Sequence, residues 1–148
     1  MTSIDYARGI KFKCQGSGNC CVSRDSYGYV YLSNKDIKRL SKYKKIKIYE
    51  FIKLYCDKTN GFRHLKENLK NGYCQFLKEK KCLIYKARPT QCRTWPFWQE
   101  NMKAKKWNQE IKKFCPGIGK GRIINKNIID HALKTDEENE ENILKEII

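Results

Sequence analysis

Eight cysteines, Cys14, Cys20, Cys21, Cys56, Cys74, Cys82, Cys92 and Cys115, constrain this chain more than any other feature. Thiols at that density either cross-link the chain or hold a metal, and the compartment decides between the two. The opening stretch MTSIDYARGIKF has no basic segment followed by an apolar one, so no secretory signal is read there. No apolar run approaches the length of a membrane span either. A cytoplasmic location is the expectation, and in a reducing cytosol cysteine-rich patterns point to metal ligation or redox chemistry. The 148 residues fit one domain. Much of the apolar content is cysteine and aromatic, so the aliphatic core is modest and a metal staple is expected to supplement it.

The chain reads as α+β, a small metal-stapled domain of short helices and a β-hairpin. Phe12 to Cys21 is a Gly-rich, thiol-dense loop, and Gly28 to Leu32 suits a short strand. Ser33, with Asp36 three residues on, opens a helix from about Asn34 to Tyr43. A second helix from about Ile46 to Cys56 aligns Ile48, Phe51, Ile52 and Tyr55 on one face. Tyr73 to Leu77 and Cys82 to Tyr85 read as strands joined by the turn Lys78 to Lys81. Pro89 starts a helical turn carrying Cys92, and Trp95-Pro96-Phe97-Trp98 breaks it. A lysine-rich helix from about Gln99 to Phe114 leads to Cys115-Pro116-Gly117, after which Gly117, Gly119 and Gly121 predict irregular backbone to Arg122. Residues 1–122 are taken as the cysteine-cluster domain and 123–148 as a helical C-terminal appendage. Within the appendage one helix is expected from Asn125 to Leu133, with Ile128, Ile129 and Ala132 inward. A second, acidic one is expected from Thr135 to Ile148, its apolar stripe docking in cis.

Charge is uneven along the chain. Up to Leu133 there are 30 basic against 10 acidic residues, and from Lys134 onward 2 against 6. Such a field attracts polyanions. The cations are 25 lysines and 7 arginines spread along the sequence rather than grouped in a motif, so nucleic-acid binding is not the favoured reading.

The cysteine spacing suits metal chemistry, because ligands a few residues apart on a turn can meet one ion that more distant ligands then enclose. Cys14 and Cys20 are so spaced, with Gly16 and Gly18 between them; Cys74 and Cys82 lie on the hairpin, and Cys92 and Cys115 follow. Adjacent Cys20 and Cys21 point to opposite faces in an extended segment, so they serve two metals, or one ligates while the other is a buried or redox-active thiol. Cys56 reads as a buried small hydrophobe. His64 reads as a surface or hydrogen-bonded core residue. Arg88 and Arg93 read equally as tuners of neighbouring thiols or as structural donors to carbonyls. Gly117, Gly119 and Gly121 do not form a phosphate loop.

The strings FKCQGSGNCC, YCQFL, CLIYKARPTQCRTWPFW and FCPGIG together resemble the CxxCxxCC cysteine-cluster family (YkgJ-like), a zinc- or iron-chelating domain, over about Phe12 to Arg122. The resemblance implies metal ligands among Cys14, Cys20, Cys21, Cys74, Cys82, Cys92 and Cys115. Ser17 stands where the pattern has its second cysteine, which favours a site closed by the hairpin thiols, Cys92 and Cys115. The resemblance implies binding of zinc or iron, an iron–sulfur cluster included, by a chain already read as cytosolic. The alternatives are a metal-dependent enzyme of the protein-lysine methylase kind, which some larger proteins with a similar domain resemble, and a zinc-stabilised nucleic-acid binder.

Overall fold

A computed structural model describes residues 2–14, 30–66, 76–78 and 81–146. It is an α+β arrangement in which three two-stranded antiparallel sheets and short helices surround two apolar clusters.

The first cluster is built by local signals. Helix α1 (Asn34–Lys44) opens with the expected reciprocal cap: the Asp36 N–H donates to Ser33 Oγ, and the Ser33 N–H donates to the Asp36 carboxylate, both at 3.2 Å. Lys45, left-handed at φ 58°, ends it. Helix α2 (Ile48–Tyr55) buries Phe51 completely but leaves Ile48 exposed, so its apolar face is narrower than the heptad spacing implied. The chain then turns at Cys56 into a hairpin that the sequence reading had not included, β2 (Cys56–Thr59) and β3 (Phe62–Leu65), in register Cys56↔Leu65 to Thr59↔Phe62. Its two-residue turn is Asn60-Gly61, at φ 54° and 86°. A turn with both central residues left-handed matches the twist of the strands it joins, and Asn-Gly is the pair that tolerates it.

Of the strand expected over residues 28–32, residues 28 and 29 lie outside the described residues. The remainder lies beside β3, with the Leu32 N–H donating to Arg63 O and the Leu65 N–H to Val30 O, each at 3.0 Å. The cysteine hairpin forms as β4 (Leu77–Lys78) and β5 (Lys81–Cys82), paired Leu77↔Cys82 and Lys78↔Lys81. Its turn is tighter than the four residues expected, and a 3₁₀ turn, Tyr85–Ala87, replaces the end of the predicted second strand. Leu40, Phe51, Leu65 and Ile84 form the centre of this cluster.

The second cluster joins residues far apart in sequence. Strand β1 (Ile10–Phe12) pairs with β6 (Ile118–Ile124) as Ile10↔Ile124, Lys11↔Ile123 and Phe12↔Ile118. The register therefore jumps, and residues Gly119 to Arg122 bulge out between the last two pairs. The expected irregular backbone to Arg122 lies within this strand as the bulge, where the glycines supply positive φ at Gly119 (89°) and Gly121 (73°). Gly117 is needed for a different reason, since a Cβ there would lie 2.4 Å from Lys13 O.

Helix α3 (Thr90–Thr94) forms after Pro89 and stops at Trp95, as read. The expected helix over residues 99–114 is segmented. A 3₁₀ turn, Gln99–Met102, is followed by α4 (Ala104–Lys106), a π-helical stretch (Trp107–Ile111) and α5 (Lys112–Phe114), which together bury Trp107, Ile111 and Phe114.

The two helices expected after residue 125 are one, α6 (Lys126–Lys145). Asn125 caps it by accepting the Ile128 N–H at 3.0 Å. Thr135 lies inside this helix, its hydroxyl donating to His131 O one turn back, at 2.8 Å. Ile129 and Leu133 enter the second cluster, whereas Ile128 faces solvent rather than inward. Burial of each inward side chain contributes about 1.5–3 kcal/mol. The other end of α6 reaches the first cluster, where Glu146 Oε2 accepts the Asn34 N–H at 2.9 Å. The sequence boundary drawn after residue 122 falls within β6. No helix among the described residues is long and apolar enough to cross a membrane.

Candidate metal centre

Four of the seven cysteines singled out from the sequence, Cys14, Cys82, Cys92 and Cys115, are among the described residues; Cys20, Cys21 and Cys74 lie outside them. Cys14 and Cys115 sit at the same end of the β1–β6 ribbon. The Lys13 N–H donates to Gly117 O at 3.1 Å, which sets the residue after Lys13 beside the Cys115-Pro116-Gly117 turn. Cys14 is exposed and Cys115 buried. The turn is fixed by the Cys115 N–H donating to Ile111 O at 2.9 Å and the Ile118 N–H donating to Cys115 O at 3.3 Å.

Aromatic contacts bring α3 to the same region. Trp95, at the end of α3, meets the ring of Phe114 edge-on at 5.6 Å, and Phe114 immediately precedes Cys115. Phe12, two residues before Cys14, meets Phe97 at 5.9 Å. These contacts pack the aromatic run after α3 against the residues leading into Cys14 and Cys115.

Cys92 lies on α3, and the residues around it tether that helix in several directions. Asp36 is fully buried, and its Oδ1 accepts the Thr90 N–H at 3.0 Å, the Thr90 hydroxyl at 2.7 Å and Arg39 Nη2 at 2.7 Å. Gln91 Oε1 accepts the Tyr31 N–H at 3.1 Å, and Trp98 Nε1 donates to Gln91 O and Thr94 Oγ1. Arg93 donates to Arg88 O and Lys86 O, and Arg88 donates to Tyr85 O. Of the two readings of these arginines, the one seen is donation to backbone carbonyls. Asp36 and Gln91 were not singled out from the sequence as residues of the site. The signal was present in part, since a capping-box aspartate is normally exposed and this one is consumed by a second helix start at Thr90.

Cys82 packs against the first cluster, to which Cys56 belongs. Cys56 is the buried small hydrophobe expected. Burial, reinforced by Asp57 and only partly opposed by Arg63 and Lys66, pushes its thiol up to about 11. A thiol that holds its proton is a poor ligand and a poor nucleophile. His64 is likewise buried and hydrogen-bonded, through Nε2 to Thr59 Oγ1 at 2.9 Å and Nδ1 to Leu65 O at 2.8 Å. Because a carbonyl only accepts, Nδ1 is the donor to Leu65 O. Among the described residues no three His, Cys, Asp or Glu side chains are grouped closely enough to hold an ion.

The fold and its thiol-bearing segments define a small α+β protein whose cysteines come from loops, a hairpin and turns distant in sequence. Residues 13–116 match the CxxCxxCC family, described as a "putative zinc- or iron-chelating domain", and the chain belongs to that family. It is also 32% identical over 126 residues to the uncharacterized protein MJ0661 of Methanocaldococcus jannaschii. That match covers 80% of this chain and 65% of the relative, so the chain spans slightly under two thirds of the relative's length. No solved structure matches the chain.

Proposed function

We propose that this protein binds zinc or iron in the cytoplasm through thiolates drawn from Cys14, Cys20, Cys21, Cys74, Cys82, Cys92 and Cys115, and that the metal fastens the fold. The observation that carries the reading is the Lys13–Gly117 backbone bond, which sets Cys14 beside the turn of Cys115 although 101 positions separate them in sequence. The burial of Cys56 in the first cluster and the engaged ring nitrogens of His64 support leaving both outside the ligand set. The donor chemistry fits, since soft thiolates select zinc, iron and iron–sulfur clusters over hard cations. When bound by four thiolates, zinc supplies roughly 10–16 kcal/mol of apparent binding free energy that becomes folding free energy.

The test is anaerobic purification followed by elemental analysis and a visible spectrum of the same sample. Stoichiometric zinc in a colourless solution supports a structural site. Iron with sulfide and a broad band near ~400 nm supports a cluster. Serine variants of Cys14, Cys92 and Cys115 should each lower metal content, and full occupancy in all three would refute the reading.

A further inference from the structure

Folding gathers cations that the sequence scatters. Lys11 and Lys13 lie on or beside β1, Lys120 and Arg122 on β6, and all four are exposed. Residues 10–14 and 117–125, which make up the ribbon, contain no Asp or Glu. Nearby Asp130 is already taken, accepting from Tyr6 Oη and Lys126 Nζ at 2.6 Å each. Among the described residues, Lys11, Lys120 and Arg122 form no salt bridge.

The bulge concentrates the charge further. The register passes from Lys11↔Ile123 to Phe12↔Ile118, so the Gly119-Lys120-Gly121-Arg122 segment protrudes without a Cα partner on β1. A Cβ on Gly121 would lie 2.5 Å from Lys13 Cβ and 3.5 Å or less from its Cγ and Cδ. The Lys13 side chain therefore lies over Gly121, between Lys120 and Arg122. Among the described residues, a Cβ on Gly119 would meet nothing within 4 Å, which leaves that side of the tip free of them.

We propose that this face of the β1–β6 ribbon is a docking surface for the phosphodiester backbone of a nucleic acid. Lys120 and Arg122 on a protruding, glycine-rich tip, with Lys13 over Gly121 and Lys11 on the neighbouring strand, are complementary to a line of phosphates, and such binding is driven by release of the counterions around them. Ile123 is the one large apolar side chain exposed on the ribbon, whereas membrane-surface binding needs an apolar face beside the charge. Among the described residues the exposed tyrosines, Tyr43, Tyr49 and Tyr85, lie on other elements than the ribbon, which favours contact with phosphates over base stacking. This surface does not depend on the identity of the metal.

The experiment is fluorescence anisotropy of the as-purified protein with labelled single-stranded RNA of about 20 nucleotides across a salt series. Neutralising about four phosphates predicts a slope of log K against log salt near −3, at about −0.7 per contact. The variant Lys11→Gln/Lys120→Gln/Arg122→Gln changes only exposed side chains. It should weaken binding at least about tenfold at low salt and flatten the slope by about 2. A control, Lys35→Gln/Lys38→Gln/Lys42→Gln on α1, changes net charge equally and should retain most of the affinity. Equal losses in the two variants would overturn the proposal, as would wild-type protein that ignores RNA or binds only anionic vesicles.

Discussion

Replacing Asp36 by asparagine tests how α3, and Cys92 with it, is held in place. The side chain is fully buried and accepts four hydrogen bonds: from the Ser33 N–H, the Thr90 N–H, the Thr90 hydroxyl and the Arg39 guanidinium. Asparagine has nearly the same shape but no charge, and its amide would set a donor against the Ser33 or Arg39 donors. Removing one partner of a buried ion pair costs about 3–5 kcal/mol. The Arg39 side chain is 32% exposed and recovers some hydration, which places the expected loss near ~3 kcal/mol. With m near ~1.5 kcal/mol/M, the urea midpoint should fall by about 2 M at unchanged m. The unfolding should be followed by tryptophan fluorescence and circular dichroism at pH 7, on samples of equal metal content, because bound metal raises apparent stability by mass action. Thr90→Val removes one hydroxyl partner and should cost about 1 kcal/mol. The double variant should lose less than the sum, because both changes break the same network. A loss under about 0.5 kcal/mol for Asp36→Asn, or strict additivity, would show that Asp36 does not hold α3.

Other consequences are open to direct measurement. Native alkylation at pH 8 followed by peptide mapping should leave Cys56 unlabelled until denaturant is added, and Cys56→Ala should keep the wild-type metal content while costing about 1 kcal/mol. Gly61→Ala places a side chain at φ 86° in the Asn60-Gly61 turn and should destabilise by about 1 kcal/mol in chemical denaturation, with no change in metal content. Asp136, near 3.8 when unperturbed, is pushed up to about 6, chiefly by burial, with neighbouring Glu140, Glu100 and Glu137 adding to the rise and the Gln99 N–H opposing it. The folded state therefore binds its proton more tightly than the unfolded chain. That stabilisation is complete below pH ~4 and lost as pH rises through about 6. Asp136→Asn should remove this pH dependence and raise stability at pH 7 by about 1 kcal/mol, a figure discounted for solvent screening, as read by melting curves from pH 4 to 8.

What could be read from the residues alone was mostly local. The Ser33–Asp36 cap, the Pro89 start of α3, the proline break after Trp95, the paired β4 and β5 around Cys82 and the buried Cys56 each depend on neighbours within a few positions. The Asn60-Gly61 hairpin was equally legible, but the short polar strands CDKT and FRHL hid it. Strand β6 was not legible, because its partner lies more than a hundred residues away and its glycines imitate a loop. The unity of α6 was hidden by Lys134-Thr135, where a side chain bonded back into the helix looks like a new start. For the site, the family pattern marks the cysteines, but it is silent on Asp36 and Gln91, whose roles exist only once α1, α3 and the Tyr31 segment meet.

The pairing of Ile10 with Ile124 makes the β1–β6 ribbon the clasp of a loop that encloses most of the chain. Loop-closure entropy grows only slowly with length, so holding so large a loop shut costs little more at equilibrium than holding a short one. In time the situation differs, since contacts between distant residues wait until the intervening chain has ordered. Ile10, Phe12, Ile118 and Ile124 pack in the second cluster, so closing the clasp and completing that cluster are one event. Because the clasp joins the residues before Cys14 to those after Cys115, whatever opens the β1–β6 ribbon also separates the backbone around these two thiols.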